Sequence, residues 1–332
     1  MNEFRITLFT PDDAPDISSF YRETYGDNFP VKYVYDPAEI VRRYDGVNHR
    51  TAIMRDGDNR LAAMGSLFRC APNPLVYEGG QLMVSRLHRG KGLSNLIGRA
   101  VLEEFPTQIP VDAVFIEALC SHTLSQPSAT NNGLLPTGVE LGKMPGMPEG
   151  GGKAAGISLL MLFRVYKDAP HAIHPHPAYA DFIDRRIREL GIARTVEPGA
   201  APEAETTEAQ PDIQKDASFA SLSVVRPGRD LPEALARFEA EAAGCVLHVR
   251  LNLGDRAAPW AIDILRGRRF FLSSYLPLWF GQDGLLLQKL PAVPDFAAPQ
   301  YGSAEAKALA EVVRADWEAV TNNDDGNPKN GK

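Results

Sequence analysis

The stretch Gly80-Gln-Leu-Met-Val-Ser-Arg-Leu-His-Arg-Gly-Lys-Gly-Leu-Ser-Asn-Leu-Ile-Gly-Arg-Ala-Val-Leu-Glu-Glu-Phe105 decides how this chain is read. It opens as a short apolar strand, Gln81 to Val84, and passes through the basic glycine turn Arg89-Gly90-Lys91-Gly92. It then continues as a helix whose apolar positions Leu93, Leu96, Ile97, Ala100 and Val101 keep helical spacing. Such a turn aims the unpaired N–H groups of a helix start, and the positive end of its dipole, at one spot. This is a general way of holding a pyrophosphate. Gly90 and Gly92 let the backbone approach without a Cβ in the way, and Arg89 and Lys91 add charge. An anionic cofactor is the first expectation.

Working outward, the 332 residues suffice for two domains of ordinary size, and an apolar content of 44% supplies their cores. No apolar run approaches the roughly eighteen residues of a membrane span. The opening Met1-Asn-Glu-Phe-Arg-Ile-Thr-Leu-Phe9 enters a strand without a signal-peptide core. Cys70, Cys120 and Cys245 have neither metal-like nor disulfide-like spacing. A soluble cytoplasmic protein without a membrane partner is the default expectation. The net charge of −7 argues against a nucleic-acid partner.

Strand and helix signals alternate along the chain, which gives an α/β or α+β class. A strand at Phe4–Phe9 leads through a capping Thr10-Pro-Asp-Asp13 run to a helix over 17–24, and a short helix follows over 37–43. Asp56-Gly-Asp-Asn59 marks a hairpin. Val111–Leu119 and Ile157–Val165 read as buried strands. The Gly- and Pro-rich stretch 134–156 between them reads as a loop, either over a site or merely flexible. A helix over 179–190 stops at Gly191, and a linker is expected over 196–217. A smaller α/β unit then spans 218–320, and the polar tail 321–332 is expected to fray.

The motif Arg89-Gly90-Lys91-Gly92-Leu93-Ser94 resembles the Gln/Arg-x-x-Gly-x-Gly/Ala signature of the GCN5-related N-acetyltransferases (GNAT superfamily), with Ser94 in place of the last small residue. The order strand, two short helices, hairpin, strand, signature, helix, strand is also that of the superfamily. The resemblance covers residues 4 to about 165 and implies a GNAT domain over 1–168, with a mixed, mostly antiparallel sheet flanked by helices. It implies acetyl-CoA, or a short acyl-CoA, as co-substrate and an amine-bearing acceptor as partner. The pyrophosphate would sit on the backbone amides of Arg89, Gly90, Lys91, Gly92, Leu93 and Ser94. The pantetheine arm would pair with the strand holding Met83 and Val84, splayed there by a bulge. The implied activity is N-acyl transfer by direct attack in a ternary complex. The rival is a GNAT-fold acyl-CoA sensor without catalysis.

Cys120-Ser-His-Thr-Leu-Ser-Gln-Pro-Ser-Ala-Thr-Asn-Asn-Gly-Leu134 falls where many members of the superfamily read Asn-x-x-Ala-x-x-Leu-Tyr-x-x-x-Gly-Phe. Aligned on the glycine, His122 takes the Asn position, Ser125 the small residue and Ala129 the Tyr that often protonates the departing thiolate. That departure leaves catalysis itself open. Glu117, in an apolar strand where burial would raise its pKa, is the base candidate, against the alternative of a carboxylate paired with an Arg or with backbone amides. Glu78 is the runner-up. His122 is a candidate cofactor contact or proton relay, and Ser125 a candidate proton donor to the thiolate. Cys120 is read as core. His171-Ala-Ile-His-Pro-His176 is read as an extended loop and not as a metal site.

The run Val246–Leu251, Pro259–Leu265, Gly267-Arg-Arg-Phe-Phe271 and Gly281–Gln288 repeats the strand, helix, Gly-Phe-like and strand succession of the first half. It carries no Arg-x-x-Gly-x-Gly motif. A degenerate second GNAT-like unit after a connecting helix (169–195) is expected, with an unrelated α/β unit as the alternative. The aromatic run Tyr275–Gly281 suits either a substrate pocket or a core. The acceptor and the oligomeric state have no signal in the sequence.

Overall fold

Local rules set the first elements. Thr10 donates its N–H to Asp13 Oδ2 (2.8 Å), and Asp36 Oδ1 accepts from the N–H of Ala38 (2.9 Å). The first caps the 3-10 turn Pro11–Asp13 that leads into α1 (Ala14–Tyr25), and the second opens α2 (Pro37–Arg43); each helix has a proline in its first turn. The expected hairpin turn brings Asn59 to a φ of 63° and pairs the N–H of Asp56 with the carbonyl of Arg60. The computed structural model describes residues 4–27, 29, 31–144 and 156–322. The expected tail, beyond Asn322, and residues 145–155 of the expected 134–156 loop lie outside the described residues. Of that loop, 135–144 is a strand.

The chain divides into two units, Met1–Ile116 with Pro127–Leu134, and Glu117–Gln126 with Leu135–Lys332. The division does not fall at the expected boundary of 168, because the strands over 135–144 and 157–165 belong to the second unit. In the first unit, β1 (Arg5–Leu8), β2 (His49–Arg55), β3 (Leu61–Arg69) and β4 (Val76–Val84) form an antiparallel succession. The start of β5 (Ala113–Leu119) joins parallel to β4. Between β4 and β5 runs α3 (Leu93–Arg99), which continues through a π turn at Ala100–Glu104 into α4 (Phe105–Gln108). Most of α5 (Gln126–Asn131) also belongs here. Ile17 and Tyr21 of α1, Ile40 of α2 and Ile53, Met64 and Met83 of the sheet share one buried cluster. Burying each such side chain stabilises the fold by about 1.5–3 kcal/mol.

In the second unit the sheet order is the end of β5, β7 (Ile157–Val165), β6 (Leu135–Met144), then strands 271–276, 284–289, 246–252, 219–226 and 208–214. In chain order, β8 (His171–Ile173) and β9 (Arg194–Val196) form a separate parallel pair around α6 (Ala180–Leu190). Then come β10 (Glu208–Gln214), β11 (Phe219–Arg226), α7 (Leu231–Glu241) and β12 (Val246–Asn252). The unit ends with α8 (Ala258–Gly267), β13 (Phe271–Leu276), β14 (Gly284–Lys289) and α9 (Ala304–Thr321). The expected linker is corrected here: Glu208–Gln214 pairs antiparallel with β11 over its whole length. Its polar side chains misled because an edge strand can be stabilised by backbone pairing while burying little. Tyr275, Leu278 and Trp279 are buried, so the aromatic run serves largely as core. None of the described helices is long and apolar enough to cross a membrane.

Gly138 of β6 opposes Ser274 of β13. A Cβ at Gly138 would fall 2.1 Å from the Ser273 carbonyl oxygen and 2.3 Å from Ser274 Cα. Backbone at such distances cannot yield. Gly138→Ala is therefore expected to destabilise the protein by about 3 kcal/mol, the upper end of ordinary overpacking. Gly267→Ala, where an added Cβ meets nothing within 4 Å, is expected to stay near wild type in urea unfolding.

Candidate functional site

The strand β4 is interrupted where the sequence turns from glycines to Gln81. Ser66 of β3 opposes Gly80 and Met64 opposes Met83, so two residue steps on β3 face three on β4. This is a bulge, and Gln81 adopts a φ of 53° within it. The parallel ladder to β5 pairs Val76 with Ala113, Tyr77 with Val114 and Glu78 with Phe115. The bulge follows directly, at the place where the resemblance puts the pantetheine. Met83 is buried in the core cluster, whereas Leu82 is 40% exposed.

Beyond Val84 the chain is pinned before it turns. The N–H of Ser85 donates to the Ala62 carbonyl (2.8 Å), and a 3-10 turn runs over Arg86–His88. The His88 ring is buried, with Nε2 3.0 Å from Asp56 Oδ2 and Nδ1 3.2 Å from Lys91 Nζ. The lysine ammonium can only donate, so Nδ1 accepts and Nε2–H faces the carboxylate. Asp56 also accepts from the N–H groups of Asp58 and Arg60, and the Arg60 N–H holds its carboxyl below the usual aspartate value, with His88 adding to it. One carboxylate thus ties the β2–β3 hairpin to the signature turn.

Gly90 and Gly92 have φ of 76° and 73°. An added Cβ would meet nothing within 4 Å at either one, so the demand for glycine is conformational and the space before the turn is open. Gly92 caps α3; the N–H of Asn95 already returns to its carbonyl (3.1 Å), whereas those of Leu93 and Ser94 precede the first intrahelical bond. Arg89 and Lys91 are exposed beside them. This arrangement fits a pyrophosphate. Nearby, a Cβ at Gly98 of α3 would lie 3.2 Å from Asn132 Nδ2, which sets the close approach of α3 to the residues after α5. Gly133 has a φ of 77°, and the N–H of Leu134 returns to the Ala129 carbonyl. Ala129 is buried, so the position read as the missing Tyr is occupied by a methyl group.

Glu117, His122 and Ser125 belong to the second unit. Glu117 accepts from Lys143 Nζ, so its carboxylate is paired, but with a lysine and not with the Arg or backbone amides expected. The carboxylate that burial raises is instead Glu140, fully buried 2.9 Å from the same ammonium; the charge on Glu117 raises it further. Burial opposes the charge of Lys143, but the two carboxylates outweigh it and hold the ammonium above the ordinary lysine value. His248 Nδ1 lies 3.7 Å from Glu140 Oε1, and burial drives its ring well below the usual histidine value. Sequence reasoning missed Lys143, Glu140 and His248. Glu140 and Lys143 meet because β6 is irregular between Glu140 and Met144, with Gly142 at a φ of 62°. In a regular strand, residues three apart face opposite sides.

His122 Nδ1 accepts from the N–H of Leu124 (3.3 Å), a local bond within the turn. Ser125 Oγ is buried without a hydrogen-bond partner. Burial pushes the Cys120 thiol up to about 12, in keeping with a core cysteine. Gln126 clamps this turn by donating to the carbonyls of Leu119 and Gln300 and accepting from the N–H of Gly302. The three histidines of 171–176 are occupied structurally: His171 accepts from the Asp283 N–H, His174 meets the Pro198 carbonyl and His176 caps Ala178. Among the described residues no group of His, Cys, Asp and Glu suits a metal ion.

The C-terminal strands repeat the succession strand, helix, strand, helix, strand, strand, in the spatial order β11-β12-β14-β13. Arg269, with a φ of 67°, takes the left-handed turn position that Gly133 holds after α5. The Gly-Phe-like pair is therefore Arg269-Phe270 and not the expected Gly267. The parallel ladder of β11 and β12 stays in continuous register over six pairs, Phe219↔Val246 to Val224↔Leu251.

No protein-family model matches the sequence, and no curated protein matches it. Solved structures do. A spermidine/spermine N-acetyltransferase from Vibrio cholerae is similar at 14% identity and a TM-score of 0.37, over 49% of this chain and 95% of that one. A ribosomal-protein-S5-alanine acetyltransferase from Vibrio fischeri is similar at 11% identity and a TM-score of 0.41, over 50% and 94%. A putative phosphinothricin N-acetyltransferase is similar at 19% identity and a TM-score of 0.39, over 49% and 98%. The element order, the bulge in β4 and the glycine turn before α3 are those the GNAT resemblance implied. The sheet is mixed and mostly antiparallel and is flanked by helices, as that resemblance implied. The neighbours account for about half of the chain.

The buried carboxylate gives a pH prediction. Glu140 keeps its proton in the folded protein above 4.5, the value at which a free glutamate loses it. The folded state then binds more protons than the unfolded one, so this group's contribution falls as pH rises from about 4.5 towards its raised folded value. His248 acts oppositely, costing stability as pH falls through 6.5. Glu140→Gln removes only the first effect. Between pH 5 and 8 the stability difference, variant minus wild type, is expected to grow in the variant's favour, as read by urea unfolding at each pH.

Proposed function

We propose that this protein transfers an acetyl or other short acyl group from acyl-CoA to an amine by direct attack in a ternary complex. The observation that carries the reading is the succession of the Gln81 bulge and the left-handed Gly90 and Gly92 before α3. In this reading the backbone of Leu82, Met83 and Val84, beside the bulge, receives the amides of a pantetheine arm. The turn offers the N–H groups of Arg89 to Ser94 to a pyrophosphate, with Arg89 and Lys91 supplying charge. When bound, acetyl-CoA supplies the activated thioester. A backbone N–H near Val84 polarises the carbonyl without a side chain.

In this reading Glu117 is the base for the acceptor amine, directly or through water, with Lys143 holding its carboxylate in place. Ser125, whose hydroxyl has no other partner, is the candidate proton donor to the thiolate, and His122 a contact on the cofactor side. We propose further that the C-terminal strands are a degenerate GNAT-like unit that takes no CoA. The continuous β11–β12 ladder offers no parting of strands for a pantetheine, and no glycine signature follows β11. The second reading is a CoA-binding sensor, which Ala129 at the position of the missing Tyr favours.

Thermal shift with acetyl-CoA, ATP and NAD separates the ligands. Acetyl-CoA alone is expected to raise Tm, by about 2.7 kcal/mol of stabilisation at a hundredfold excess over Kd. Calorimetry is expected to give one site per chain, and Arg89→Ala with Lys91→Ala to weaken it about tenfold or more. Stabilisation by ATP or NAD alone would overturn the cofactor reading. Thiol release with an amine panel then divides enzyme from sensor: turnover that Glu117→Gln abolishes supports the enzyme, and binding without turnover supports the sensor.

A further inference from the structure

Gln81 is a glutamine in a left-handed backbone conformation, which costs free energy for any residue with a Cβ. Such strain persists only where the surroundings over-determine it. Here they do. Gln81 Oε1 accepts from Tyr44 Oη (2.7 Å), from Ser66 Oγ (3.1 Å) and from His49 Nε2 (3.1 Å). Its Nε2 donates to Tyr33 Oη (2.9 Å). Ser66 Oγ is in turn 2.8 Å from Thr51 Oγ1.

The partners come from four separate elements: the 3-10 turn Lys32–Tyr35, the residue capping α2, β2 and β3. Burial holds His49 at a pKa of about 4, against the pull of Gln81 and Asp45. The ring is therefore neutral, with one N–H, and Gln81 Oε1 receives it. Burial likewise raises the Tyr44 hydroxyl far above its usual value, so it stays a donor. Three donors converge on one carbonyl oxygen. A carboxamide is the side chain that can accept on one arm and donate to Tyr33 on the other.

We propose that Gln81 is a positioning residue: its side-chain network locks the extra residue of β4 and so sets the direction of the Leu82–Val84 backbone that receives the acyl-pantetheine arm. This inference rests on the acyl-CoA reading above and concerns only how the arm is held. The turn at Arg89–Ser94, fixed independently by His88 and Asp56, does not depend on it.

That independence supplies the test. Adenosine 3′,5′-bisphosphate carries the nucleotide end of CoA without the pantetheine arm. Gln81→Ala is expected to weaken acetyl-CoA binding at least tenfold in calorimetry while the bisphosphate stays within twofold of wild type. Gln81→Gly, which adopts the left-handed backbone freely but lacks the carboxamide, is expected to show the same selective loss. An equal loss of both ligands would overturn the proposal, because it marks a general structural effect. Unchanged acetyl-CoA affinity in Gln81→Gly would overturn it too, because the backbone alone would then suffice. Wild-type protein that binds the bisphosphate but not acetyl-CoA more tightly would overturn the underlying cofactor reading instead.

Discussion

One additional residue in β4, between Gly80 and Met83, is the constraint on which the first unit depends. Met83 is fixed by the core shared with α1 and α2, and Ser85 by its bond to Ala62. The extra residue therefore cannot slip out of register by sliding the strand. A slip of one position would turn every side chain of β4 to the other face and expose Met83. The ladder to β3 shifts register locally instead, with Ser66 opposite Gly80 and Met64 opposite Met83. The glycine turn follows within the same short run of chain. Its position relative to the bulge is held by the Asp56–His88–Lys91 bonds and not by the flexible side chains of Arg89 and Lys91.

A different balance operates in the second unit. Lys143, Glu117 and Glu140 meet with little or no solvent, and His248 lies behind them with both ring nitrogens unpartnered. Removing such charges from water costs several kcal/mol per ion, which their attraction offsets only when the set is nearly neutral. Two carboxylates on one ammonium are not. The raised pKa of Glu140 is the response, since a proton on the more buried acid restores neutrality. Glu117 is thus held by Lys143 in surroundings that depend on the protonation state of Glu140.

The parts legible in the sequence were those that rest on local rules. The glycine turn, the Asp56–Asn59 hairpin, the Thr10–Asp13 capping run and the Gly191 stop all depend on local backbone conformation, and each leaves its residue type in the sequence. The bulge was expected only from the family pattern; the glutamine in its left-handed position carries no such mark, because its conformation is held by Tyr33, Tyr44, His49 and Ser66 from elsewhere in the chain. The Lys143 pair was hidden for a related reason. A strand period of two separates Glu140 from Lys143, and only the irregularity around Gly142 brings them together. Composition misled at 208–214, where polar residues form an edge strand through their backbone. The repeat in the C-terminal half showed in its succession of elements, whereas its left-handed turn falls on Arg269, a residue type that gives no hint of it.

The claim that the backbone of one strand and one turn holds an acyl-CoA is tested most directly by hydrogen–deuterium exchange with and without acetyl-CoA. The account predicts slowed exchange in peptides covering Leu82–Val84 and Arg89–Ser94, with β11 and β12 unchanged. Unaltered exchange at the bulge and the turn, or protection confined to Phe219–Leu251, would contradict it.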